Sequence, residues 1–185
     1  MLYIFPDAEG KPVEYTNSNI YFITDVAYDG SGNLFLDGAL TNGYPFLQEL
    51  PNGSSSFETI NIPASIDDCC LQLQWDGSYL AAGSIYRQRG RHNPRQTILN
   101  RLKITGSKAT VIGTVKLAFQ QHASAPQFWI QGGTVVEPSN QKYSSHVEYF
   151  KYPEGKMTKR FKVDKSTLWG ATVSLAQPRT HSHKY

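Results

Sequence analysis

Along much of the chain apolar and polar residues take turns. Stretches such as Tyr3-Ile4-Phe5 and Leu102-Lys103-Ile104-Thr105 are separated by clusters of Gly, Pro, Asp, Asn and Ser. A period of two places successive side chains on opposite faces of a strand, and the punctuating residues supply the backbone angles of tight turns. One class of hairpin carries a glycine at Gly10, Gly53, Gly106 and Gly155, at spacings of 43, 53 and 49 residues. A second class falls between these turns. It covers 26–36 around Asp29-Gly30-Ser31-Gly32-Asn33, 71–81 around Asp76-Gly77-Ser78, and 128–136 around Gly132-Gly133. Residues 171–175 read as a fourth opening strand whose partner is cut short.

Two hairpin classes in alternation predict a repeated four-stranded antiparallel blade of roughly 45–55 residues. A lone sheet of that kind cannot bury both faces, whereas radial packing lets each blade cover the next. The fold expected is therefore all-β: a β-propeller-type array, partial, with about three and a half to four blades. It is read as a single propeller-like domain over 1–185. Residues 1–20 end a preceding blade, 26–62, 71–117 and 127–163 form blades, and 168–185 begin another. A fragment of a larger ring or an open array is favoured over a closed four-bladed ring. An immunoglobulin-like sandwich would not explain two turn classes recurring with one period. Only 117–125 lacks a breaker and is read as one or two helical turns.

Composition agrees with strands and turns. Hydrophobic residues make up 39% and aromatics 12%, with 15 glycines and 10 prolines, and mean hydropathy is −0.42. The formal charge of +3 and a pI near 8.8 fall short of a dedicated nucleic-acid binder, which carries a basic stripe and a pI above ~9. No apolar run approaches the ~18 residues of a membrane span. The N-terminus has no basic leader or cleavage site and reads as strand then turn, so the chain is expected to begin inside structure. Export is expected if it belongs to a longer bacterial propeller precursor. Cys69 and Cys70 are adjacent, which excludes one distant staple; two small buried or half-buried thiols are a plainer reading than a strained vicinal disulfide.

The stretch Asp25-Val26-Ala27-Tyr28-Asp29-Gly30-Ser31-Gly32-Asn33-Leu34-Phe35-Leu36 resembles the blade-opening pattern of NHL-repeat propellers and their gluconolactonase-type relatives. Gln74–Ala81 and 169–174 look like weaker copies. The pattern is also similar to that of uncharacterised bacterial propeller proteins, for which no activity is implied. The hydrolases of the family hold a divalent cation at the central axis with carboxylates and Asn from several blades. That ligand motif has no match here, because Asp29 and Asp76 fall in turns, where Asp is favoured for backbone hydrogen bonding.

The densest chemistry lies in 86–95, where Arg87, Arg89, Arg91, His92 and Arg95 share one inter-strand loop. Guanidinium forks suit phosphate or carboxylate, which makes this the candidate anion site; a solvated connector is the plainer alternative. Asp67-Asp68 beside the cysteines is too poorly spaced to argue a metal site. His122, His146, His181 and His183 are scattered, and no serine sits in a G-x-S-x-G elbow, so no catalytic residue, metal or cofactor is assigned. Trp75, Trp129 and Trp169 recur near opening strands, as inter-blade packing or as a sugar-stacking platform. The expected function is a non-enzymatic binding or scaffold module for a protein, glycan or polyanion. The alternatives are a lactonase-type hydrolase, with or without a metal, and polyanion or RNA binding through the arginine loop. Incomplete blades would leave open edges and favour self-association.

Overall fold

The computed structural model describes residues 1–5, 9–66, 72–87, 95–120, 127–140, 144–163, 168 and 170. These form an all-β chain without an α-helix; one 3-10 turn covers Ala64–Ile66. A two-stranded ribbon, β1 (Leu2–Ile4) and β2 (Val13–Tyr15), comes first. Three four-stranded antiparallel sheets follow, each with its strands in chain order. Sheet I holds β3 (Ile20–Tyr28), β4 (Leu34–Leu40), β5 (Pro45–Leu50) and β6 (Glu58–Ile60). Sheet II holds β7 (Gln72–Trp75), β8 (Leu80–Arg87), β9 (Arg95–Thr105) and β10 (Lys108–Gln120). Sheet III holds β11 (Trp129–Gln131), β12 (Thr134–Asn140), β13 (Ser145–Lys151) and β14 (Lys156–Val163). Among the described residues no sheet closes into a barrel. The expected all-β chain of repeated four-stranded antiparallel sheets is what the described residues form. The helical reading of 117–125 is corrected: residues 117–120 continue β10 as strand, and 121–126 lie outside the described residues. Val115 and Leu117 fall two apart and are both buried, so the strand period wins over the absence of a breaker.

The chain divides into two compact units, 1–84 with 98–115 and 85–97 with 116–185. In the first unit β4 is buried along almost its whole length, which explains why Leu34-Phe35-Leu36 runs apolar without alternating: both of its faces are covered. Gly38 marks a close approach. A Cβ there would stand 2.0 Å from the Phe22 carbonyl oxygen, where the register of β3 against β4 shifts. The turn after β3 is held by Asp29, whose Oδ1 accepts from the amides of Ser31 and Asn33 at 2.8 and 2.9 Å. Asn52 then ties the two turns of sheet I together. Its amide donates to Asn33 Oδ1 at 2.9 Å and its Nδ2 to the Ser31 carbonyl at 2.9 Å.

Sheets I and II meet within this unit on a core of Phe35, Leu47, Ile60, Leu73, Leu80 and Leu102. The seam is stitched on both sides. On the first-strand side the Leu73 amide donates to Asp25 Oδ2 at 3.0 Å. On the last-strand side the Asn61 amide donates to the Ser107 carbonyl at 2.8 Å, and the Ala109 amide donates to the Asn61 carbonyl at 2.9 Å.

In the second unit, β12 lies between β11 and β13. Pro138 is tolerated on this inner strand because β11 pairs with β12 only as far as Val136. Asn140 ends β12 and grips the backbone of Leu168. Its Nδ2 donates to that residue's carbonyl at 2.7 Å and its Oδ1 accepts from that residue's amide at 2.9 Å.

Candidate functional site: a cleft between sheets I and II

At the turn end of the first unit the seam opens into a cleft of about 430 Å3. Its apolar wall is Phe35, Trp75, Leu102 and Ile104, and its polar groups include Asp29, Glu49, Glu58, Lys103 and Tyr79. The topology explains the assembly. The turns β3–β4, β5–β6, β7–β8 and β9–β10 all lie at one end of their sheets, so residues beside them converge.

The carboxylates arrive by sheet register. Phe35 on β4 stands opposite Glu49 on β5, and Glu49 stands opposite Glu58 on β6. Two like charges directly across an antiparallel pair repel. The Glu49 carboxyl is accordingly held above its usual range, first by burial and then by the charges of Asp29 and Glu58. Among the described residues neither glutamate enters an ion pair. Asp29, by contrast, is committed to its turn, and its Oδ2 also accepts from Asn33 Nδ2 at 2.8 Å.

The edge of the cleft shows how this chain seats a cation. Asp76 Oδ1 accepts from the amides of Ser78 and Tyr79 at 2.9 and 2.8 Å, fixing the β7–β8 turn. Its Oδ2 accepts from Arg101 Nε at 2.8 Å, and the Arg101 guanidinium lies 4.8 Å from the centre of the Tyr79 ring. One positive group thus sits between a carboxylate and an aromatic face.

The sequence-derived candidates are distributed unevenly. Asp29 and Asp76 hold turns, as their sequence contexts predicted, and Asp29 also lines the cleft. Trp75 closes β7 in the cleft wall, and Trp129 is half-buried on β11. Arg87 ends β8 and Arg95 opens β9, at the end of those strands away from the Asp76 turn. Arg89, Arg91 and His92 lie outside the described residues, as do Asp67, Asp68, Cys69, Cys70, His122, Trp169, His181 and His183. Among the described residues no group of three or more His, Cys, Asp and Glu side chains is arranged to hold a metal.

A second polar cluster, unforeseen in the sequence, lies in the other unit. Glu137 on β12 stands opposite Glu148 on β13, and Ser139 opposite His146. Exposures are 0% for Glu137 and Ser139, 1% for Glu148 and 8% for His146. Thr97 donates its hydroxyl to Glu137 Oε1. Arg160 reaches Glu148 Oε1 through Nε at 2.8 Å and through Nη2 at 2.6 Å. Burial lowers the His146 pKa, helped by Arg160 and Lys162 and opposed by Glu148. Ser139 Oγ and His146 Nδ1 have no hydrogen-bond partner among the described residues. A nucleophile and its base need mutual hydrogen-bond reach and access to substrate. A fully buried, unbonded Ser139 has neither, so the cluster is a structural polar stripe.

Comparison with known proteins returns no matching family model, no matching curated protein and no matching solved structure.

Proposed function

We propose that this protein is a non-enzymatic binding module built on propeller-type blades, and that its ligand sits in the cleft between sheets I and II. The observation that carries the reading is the cleft itself. It offers about 430 Å3, within the ~300–1,000 Å3 range of small-molecule sites. It also joins an apolar wall containing Trp75 to polar groups from three strands and two turns, the mixture that gives a ligand both affinity and orientation. The resemblance to NHL-type propellers supports the same reading, since repeat folds present such surfaces between repeats.

The test is a ligand panel of neutral sugars, amines and carboxylates followed by two-dimensional NMR on the full chain. The Trp75 indole N–H is assigned through Trp75→Phe. At least one member should shift that resonance saturably and lose affinity in the variant. If every ligand that binds leaves Trp75 unmoved, the cleft is not the ligand seat.

A further inference from the structure

Within the cleft the charges do not balance. Three carboxylates, from Asp29, Glu49 and Glu58, face one ammonium, from Lys103. Asp29 serves its turn with both oxygens. Glu49 and Glu58 serve no described partner, although they stand directly across β5 and β6 from one another. Like charges in that position destabilise the pair; the Glu49 carboxyl is raised first by burial, and the charges of Asp29 and Glu58 add to it. A glutamine in either place would keep the hydrogen-bonding reach without the charge.

The neighbouring Asp76–Arg101–Tyr79 group supplies the missing half of the comparison. There a carboxylate and an aromatic ring hold a cation contributed by the chain itself. In the cleft, Glu49, Glu58 and Trp75 line the same space, and among the described residues neither glutamate is paired with a cation of the chain, Lys103 included. Tryptophan is the strongest cation–π partner among the side chains, and the attraction grows when the pair is partly withdrawn from water.

We propose that the ligand enters this cleft through a positively charged ammonium group, held by Glu49 and Glu58 and covered by Trp75. This rests on the cleft being the ligand seat. It names a chemical group, which a free amine and a lysine side chain share.

The probes are putrescine, a neutral diol of equal length, and an acetylated tetralysine peptide, each titrated into the full chain while the Trp75 indole N–H is followed. Putrescine or the peptide should shift Trp75, and the diol should do so far less. Response to putrescine marks a free amine as sufficient; response to the peptide alone assigns the group to a lysine-bearing segment. Glu49→Gln with Glu58→Gln should weaken the responding probe by about tenfold. The melting temperature of Glu49→Gln should stay level or rise, because a repulsion is removed, whereas a merely structural glutamate would lower it on loss. A diol as effective as putrescine, or a double variant with unchanged affinity, overturns the charge assignment and leaves the cleft standing. If neither these probes nor any member of the wider panel moves Trp75, both readings fall together.

Discussion

The two compact units bury their sheets in different ways. In the first, the seam between sheets I and II is apolar, with Phe35, Leu47, Leu73, Leu80 and Leu102 in mutual contact. In the second, the buried face shared by β12 and β13 starts apolar at Val135 and Phe150 and then turns polar through Glu137, Glu148, Ser139 and His146. The strand pattern leading into each is the same: the fourth residue of β4 is Asp37, the fourth of β12 is Glu137, and both are buried. The difference lies on the next strand, where Asp37 faces Leu47 and Glu137 faces another acid, Glu148. An apolar seam tolerates changes of shape that conserve volume. An acid pair on a dry face depends on its partners, because a buried charge without a counter-ion is costly.

That contrast can be broken most forcefully in the apolar seam. Leu47→Ala removes a side chain with no solvent exposure and should cost about 2–5 kcal/mol by chemical denaturation, whereas Leu47→Met should cost less than about 1.5 kcal/mol. Equal losses from both variants would show that the seam is not close-packed.

A smaller effect is expected at the polar stripe. Arg160→Ala strands the Glu148 carboxylate and should cost about 1–3 kcal/mol, below the ~3–5 of a fully buried pair because the Arg160 side chain is itself 41% exposed. Adding Glu148→Gln should recover most of the loss. If the second change deepens the loss instead, the pair acts through packing and not through charge.

The smallest effect is on pH dependence. His146 has a lower pKa folded than unfolded, so between those two values the unfolded chain binds the extra proton. Its contribution is present above its unfolded pKa of about 6.5 and is lost as pH falls through the lower folded value. Denaturation curves at two pH values spanning that window should show a shallower acid loss in His146→Gln than in the native chain. An unchanged slope would remove His146 from the stripe's electrostatics.

How much of this could be read from the chain alone follows from what each feature depends on. Turn chemistry is local. Asp29 and Asp76 each bind amides two to four residues on, and such contacts are legible from neighbouring letters. Strand alternation was equally legible where one face is exposed. The cleft was not, because Glu49 and Glu58 become opposites only through the register of β5 on β6, across a connection of seven residues that fixes no register by itself. The acid-pair stripe was hidden for a similar reason: Glu137 and Glu148 look like ordinary solvent-facing positions until β12 and β13 are paired. Residues 117–120 were missed in the other direction: the two-residue period of Val115 and Leu117 was in the letters, but the absence of a breaker was given more weight.

The stitches at the seam have a consequence for motion. The Leu73 amide binds the Asp25 carboxylate of another sheet, and Asn61 shares two backbone hydrogen bonds with the strand start on the far side. Opening the seam therefore breaks hydrogen bonds at both margins at once, together with the contacts of the core between them. Sheet I and the adjoining part of sheet II are bound to open as one cooperative segment, not one after the other. The cleft lies at the end of that segment, so the seam joining the sheet that bears Trp75 to the sheet that bears Glu49 must hold for the proposed ligand seat to exist.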